Sequence, residues 1–283
     1  MPCEEVTVKP SPIWLTARAF ALSAYLIFAL FPLYWIIKIA VTPNKALYSE
    51  ALRAWPSSVT LENFGSVFAA TPFPTYFANS VIVSLSTAFF ATILASLCAA
   101  AFSRYEFKFK ASLMFVLLLT QFFPLVIVLV PLFRLLVNLG LVNNLLGLIV
   151  VYTAINTPFA VFLMKSFFDG IPRELDEAAL IDGCTRFQAL WRVVLPLTLP
   201  GVAATLGFVF TGAWSELLFA LMLINSESQK TFAVGLLDFV GKGAVNWGQM
   251  MAASTLALIP VIIFFGFIQR YLIRGLTAGA VKG

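Results

Sequence analysis

The sequence predicts an all-α integral membrane protein of about six transmembrane helices. Of its 283 residues, 61% are hydrophobic and only 11% are Asp, Glu, Lys or Arg, against about 25% charged residues in an ordinary soluble domain. The apolar residues gather in blocks of about 20 or more, the length a helix needs to cross a hydrocarbon core of about 30 Å. The basic residues fall unevenly between those blocks, as they do where one face of a membrane protein is cytoplasmic.

The first block, residues 19–40, is longer than the apolar region of a secretory signal and lacks a small-residue cleavage site. It therefore stays as a span, preceded by a cytoplasmic segment 1–18. Residues 41–77 are Pro-containing and weakly charged and read as an external loop. The second span, 78–102, opens at Asn79-Ser80 and is followed by a short basic turn over 103–110, which suits the inside. The third, 112–134, carries Gln121, Pro124 and Pro131, and the fourth, 144–164, carries Asn156 and Thr157 before Pro158. The fifth, 197–223, contains Pro200, Gly201, Gly207 and Gly212; the sixth, 251–273, is followed by a tail, 274–283. Proline and glycine are tolerated in spans where neighbouring helices or a cavity re-satisfy the freed backbone groups. Both ordinary helix packing and bent helices lining a pathway stay open.

An even number of spans puts both termini on one side. That side receives Lys9, Arg18, Arg104, Lys108, Lys110, Lys165, Arg173, Arg186, Arg192, Arg270, Arg274 and Lys282, 12 of the 18 basic residues. The excess makes it cytoplasmic. The net charge of +5 is then a matter of topology, not of nucleic-acid binding, because the basic residues are dispersed over short loops.

Composition excludes much else. The absence of histidine removes the usual general base near neutral pH and the commonest zinc ligand. Cys3, Cys98 and Cys184 are far apart and form no C-x-x-C pair, so neither a metal site nor a disulfide framework is expected. Gly235 to Gly243 approaches a phosphate-binding loop but has one residue too many and no Ser or Thr after Lys242. No catalytic residue is assigned. A secondary transporter would need coupling carboxylates at membrane depth, and only Glu216 sits deep.

The most charged cytoplasmic segment is 165–196. Its pattern is two short helices with a corner. Pro172 suits a first helical position, Glu174, Asp176 and Glu177 place negative charge over the first turn, and Gly183 supplies the stop. Thr185 is a plausible N-cap for a second helix in which Phe187, Leu190, Trp191 and Val194 form an apolar stripe, ended by Pro196. A rigid acidic element with the small pair Ala178-Ala179 fits a groove on another protein. A loop that merely covers the base of the bundle has the same composition.

The spacing bears on that choice. Glu177-Ala178-Ala179, three residues, Gly183, nine residues, then Val193-x-Leu195-Pro196 resembles the Glu-Ala-Ala signature of binding-protein-dependent ABC importer permeases, with Val for the usual Ile. The chain looks most like the six-span permeases of carbohydrate importers of the maltose-transporter type. Supporting features are Asn79-Ser80, the Phe-Phe-Asp-Gly-Ile-Pro run before the signature, and the ending from Gly275 to Gly283.

The resemblance implies a type I ABC importer permease fold in a bacterial plasma (inner) membrane. It also implies that Glu174, Glu177, Ala178, Ala179, Asp182, Gly183, Leu195 and Pro196 couple the chain to an ATPase. The implied partners are a second, homologous permease chain, two ATP-binding subunits that hold ATP and Mg, and an extracytoplasmic solute-binding protein, all within membrane lipid. The implied cargo is a sugar or oligosaccharide, with a glycerol phosphate ester or other polyol as the alternative.

For substrate, an ionisable group inside a span is a functional candidate. Glu216, beside Trp214, is the clearest one, a carboxylate with an aromatic face. Gln121, Asn156 and Thr157 add polar groups at depth. The chain has Ser215 where relatives commonly carry Asn. Helix-to-helix hydrogen bonding is the competing role for all of these.

Overall fold

The computed structural model describes residues 12–50, 52–241 and 245–280. Parts of the terminal segments 1–18 and 274–283, with Cys3, Lys9 and Lys282, lie outside the described residues, as do Lys242 and Gly243 of the Gly-rich loop.

Helix α1, Pro12–Ala40, is apolar all the way round, and its residues from Phe20 to Phe31 are exposed on every side. Such a helix is stable only where hydrocarbon or another subunit surrounds it. It packs against the last helix of the chain, and burial begins near its end, at Lys38 and Ala40. The Lys38 ammonium donates to the Glu50 carbonyl at 3.0 Å and lies 4.6 Å from the Trp35 ring, which fixes the start of the loop that follows. Helix α2, Glu62–Ala70, is tied back by the Asn63 amide, which donates to the carbonyls of Ala40 and Thr42.

Helix α3, Phe73–Arg104, is the central strut. Ala88, Ala91, Ala95 and Ala99 recur on one face and are essentially fully buried. Small side chains at that spacing let neighbouring helices come close, the usual device in lipid, where no hydrophobic force separates helix contact from tail contact. The neighbours are α6, Leu145–Asp169, and α10, Leu199–Trp214.

The third apolar block is not one straight helix. Helix α4, Lys110–Thr120, and helix α5, Leu125–Asn138, meet at 98°. Pro124 is the cause: it holds an extended backbone (φ −62°, ψ 119°), and Gln121 to Phe123 form the turn before it. Pro131, within α5, is accommodated.

After α6 come α7, Glu174–Ile181, then α8, Arg186–Ala189, a π turn, Leu190–Val194, and α9, Leu195–Leu197. The expectation that Pro196 ends the second helix is corrected here. The helix runs through Pro196 to Leu197, because the π turn widens the ring of backbone bonds, with the Leu195 N–H reaching back to the Leu190 carbonyl. The bend falls two residues later, at Thr198, where the axis turns by 73° into α10. The fifth block is divided again at Ser215–Leu217, after which α11, Leu218–Leu223, resumes. Helix α12, Phe232–Gly235, and the long helix α13, Trp247–Ala280, complete the chain. Among the described residues, four helices are long and apolar enough to cross a membrane, or six elements if each bent pair counts as one.

The start of α10 is set by a close approach. A Cβ on Gly201 would lie 2.5 to 2.7 Å from the Cβ, Cγ and Cδ2 of Phe167 on α6, atoms near the root of a ring that has little room to swing. Gly201→Val should push the two helices apart and cost about 1–3 kcal/mol, as overpacking does. A lowered thermal midpoint of the detergent-solubilised chain, with unchanged membrane insertion, is the expected reading.

Candidate coupling site and pathway residues

The acidic first turn of α7 follows Arg173 as N-cap, so Pro172 sits just outside the helix. Glu174 and Glu177 remain exposed, and the carboxylates lie where the helix dipole favours them. The stop is a Schellman arrangement: Gly183 has φ +84°, its N–H bonds the Leu180 carbonyl, and the Cys184 N–H bonds the Ala179 carbonyl at 3.0 Å. Thr185 then opens α8 with a capping box, its Oγ1 accepting from the Gln188 N–H while the Gln188 side chain accepts from the Thr185 N–H. Both caps were legible in the sequence.

What holds this loop to the bundle was not. Arg104, at the end of α3, donates to the Ile171 carbonyl at 3.0 Å and places Nε 3.2 Å from the Asp176 carboxylate. Arg173 donates to the Ser103 carbonyl at 3.1 Å. Ser103 donates to Asp169 at 2.7 Å, and Asp169 also takes Lys165 at 2.5 Å. The neighbouring Glu106 carboxyl is held below its usual range by the hydrogen bond from Lys110. The contacts that join Ser103 and Arg104 to the loop lie about 70 residues apart in sequence, and no local pattern marks them.

The result is a braced element with one free face. Ala179 is buried, while Glu174, Ala178, Ile181, Asp182 and Gly183 are exposed, Ile181 at 86%. An exposed isoleucine among carboxylates, on a helix fixed at both ends, is a surface suited to another protein.

At the other end of α3, Asn79 donates to the carbonyls of Ser228 and Lys230, and the Ser80 hydroxyl accepts from the Phe232 N–H at 2.7 Å. Tyr76 sits between the carboxylates of Glu227 and Asp238, at 3.2 and 2.9 Å. The 225–239 segment is thereby fastened to α3.

The pathway candidates are only partly brought together. Asn156 on α6 faces α10, with its Oδ1 3.0 Å from where a Cβ on Gly212 would sit, and its amide donates to the Tyr152 carbonyl. Thr157 donates to the Thr153 carbonyl in its own helix. Trp214 is only 6% exposed, its ring packed against Phe77, Phe210 and Phe232. Glu216 is partly buried. Its carboxylate accepts from the Tyr152 hydroxyl at 2.6 Å and from the backbone N–H groups of Leu218, Phe219 and Ala220, so it caps α11. Ser215 is exposed and donates to the Thr211 carbonyl. Gln121 stands apart at the α4–α5 break, exposed, reaching only Thr120 at 3.4 Å. Tyr152 is the residue the sequence did not flag; its place one turn before Asn156 was the available signal.

Comparison with known proteins adds an independent line. Residues 91–278 match the family described as binding-protein-dependent transport system inner membrane components. The diacetylchitobiose uptake system permease protein of Streptomyces coelicolor is 34% identical over 96% of this chain and 97% of its own length. A sulfoquinovosyl glycerol transport system permease of Agrobacterium fabrum is 35% identical over 94% and 93%, and a trehalose/maltose transport system permease of Thermococcus litoralis is 35% identical over 91% and 93%. The fold is shared with a crystallised bacterial ABC transporter involved in import of alginate, at a TM-score of 0.77 and 23% identity, over 94% of this chain and 99% of that one.

Proposed function

This chain belongs to the binding-protein-dependent transport system inner membrane components, and from that premise we propose that it is a permease subunit of an ATP-driven importer for a sugar or oligosaccharide. The observation that carries the proposal is the α7 face: exposed, acidic and braced by Arg104 and Arg173 to the same helix, α3, that runs through the bundle. A load applied at Glu177, Ala178 and Gly183 passes to α3 through those contacts and to α10 through α8, the π turn and α9. A soft loop would absorb it.

On this reading both termini and the 165–196 loop face the cytoplasm, which the excess of basic residues on that side supports. The chain supplies the membrane path. ATP and Mg belong to two separate ATPase subunits that receive the loop, and a second permease chain and an external binding protein complete the assembly. Glu174, Glu177, Ala178, Asp182 and Gly183 form the docking part, buried Ala179 seats α7 beneath it, and Leu195 and Pro196 belong to the brace. Closure of the ATPase pair tilts the two permease halves, the bistable element of the machine.

The cargo is read as a neutral saccharide. Helices α3 and α6 carry a lysine or arginine only near the loop end, and α10 carries none, so an anionic solute would meet no fixed cation at mid-depth along these three helices. Gln121, Asn156 and Ser215 are the polar side chains proposed to face the path, while Trp214 and Glu216 act by shaping α10 and α11 around it. Thermal stabilisation of the partner binding protein by a neutral disaccharide or oligosaccharide, but not by glycerol 3-phosphate, is the expected outcome of a ligand screen. Stabilisation by the phosphate ester alone would overturn the cargo assignment.

A further inference from the structure

A cleft lies between the 165–196 loop and the end of α3. Its polar mouth, about 210 Å³, is lined by Arg104, Arg173 and Arg186 with Asp176 and Glu177. Asp176 is already paired with Arg104, and Arg186 has its guanidinium 5.9 Å from the Tyr105 ring. Arg104 is nine-tenths buried along its side chain, and its Nη2 has no hydrogen-bond acceptor. That nitrogen is closed off within the protein, so the guanidinium open to an anionic oxygen from outside is that of Arg186, on an exposed residue.

The cleft does not end at the mouth. A second groove of about 180 Å³ continues along α3 past Ile93, Ser96 and Leu97, closed on the other side by Trp191, Leu195 and Leu199 and almost free of polar surface. The two share Leu190, and residues 93, 96, 97, 100 and 104 fall on one face of α3, so the polar and apolar parts lie one after the other along that helix, on either side of Leu190. From Thr92 to Arg104 the helix rises ~18 Å.

A cationic head and an apolar body in this order match one kind of occupant. We propose that the cleft holds one anionic phospholipid from the leaflet facing the loop, its phosphate at Arg186 within the positive field of Arg104 and one acyl chain along α3. Charge complementarity selects the anionic headgroup, and a groove without polar lining selects a hydrocarbon chain over a peptide, whose backbone would go unpaired there. The inference rests on the membrane embedding of the chain and not on its coupling role.

Native mass spectrometry of the whole transporter, transferred into nanodiscs of mixed phosphatidylglycerol and phosphatidylcholine and then into detergent, reads the site without reference to transport. The wild type is expected to retain phosphatidylglycerol in preference to phosphatidylcholine. Arg186→Gln should lower that retention about fivefold, the effect of one basic residue near an anionic surface. Ser96→Trp, which fills the groove, should lower it with the arginines intact, and inorganic phosphate should not displace the lipid. Equal retention of both lipids, or full retention in both variants, overturns the proposal. So does displacement by inorganic phosphate, which would make the mouth a site for a free anion.

Discussion

Gly183→Val should lower ATP-driven uptake by about 5- to 150-fold, the span of a typical coupling free energy, while leaving the chain inserted and folded. The reasoning begins with the backbone. Gly183 holds φ +84°, and a Cβ there would meet nothing within 4 Å. The penalty is therefore conformational, about 1–2 kcal/mol for a side chain forced into left-handed backbone, and the corner between α7 and α8 relaxes instead of clashing. Relaxation breaks the bonds from Gly183 to Leu180 and from Cys184 to Ala179 that end α7. The acidic face then no longer holds a fixed angle to the brace.

Glu177→Lys tests the same surface by another route. Glu177 is exposed, so its reversal costs little stability but sets a cation where the partner expects an anion. Quantifying each variant in the membrane fraction, then measuring uptake and ATP hydrolysis in reconstituted vesicles, separates loss of docking from loss of fold. Uptake at the wild-type rate by both variants would remove the loop from the coupling path.

The second large effect is expected at Glu216. Removing its carboxylate leaves the Tyr152 hydroxyl, on a residue 1% exposed, without its acceptor, and strips α11 of the group that receives three of its N–H donors. An orphaned buried hydroxyl and a lost cap together cost about 3 kcal/mol. Glu216→Ala should therefore show a marked drop in thermal midpoint in detergent, and Glu216→Gln a smaller one, since the amide oxygen still accepts. Tyr152→Phe should restore part of the stability lost by Glu216→Ala, because it removes the orphan. A Glu216→Ala chain as stable as wild type but with a raised half-saturating cargo concentration would instead make Glu216 a direct cargo contact.

Glu216 also shows where sequence reading stops. Its depth and charge are plain in the sequence, and they mark it as unusual without saying what it binds. The partner, Tyr152, is 64 residues away, and only packing of α6 against α10 brings it near. The same limit applies to the third block: Pro124 announces a break and causes it, yet no sequence rule gives its angle of 98°. At Pro196 the local rule was correct in kind and wrong in consequence, because a π turn absorbs the missing N–H and carries the helix on. Conversely, Thr185, Gly183 and the acidic turn of α7 act through neighbours within five residues, and their roles could be read directly. Apolar periodicity fixes that there are spans; it does not fix which polar side chain inside them meets which.

Under the proposed function, this chain moves its cargo only when a separate ATPase works on the loop between α6 and α10. The most direct measurement is uptake into vesicles holding the permease pair, with cargo-loaded binding protein on the opposite side, with and without the ATPase subunits and ATP on the loop side. Accumulation that requires both, and that falls with Glu177→Lys while the variant stays in the membrane, is the predicted result. Accumulation by the permease chains alone, or at the same rate with Glu177→Lys as with wild type, would contradict it.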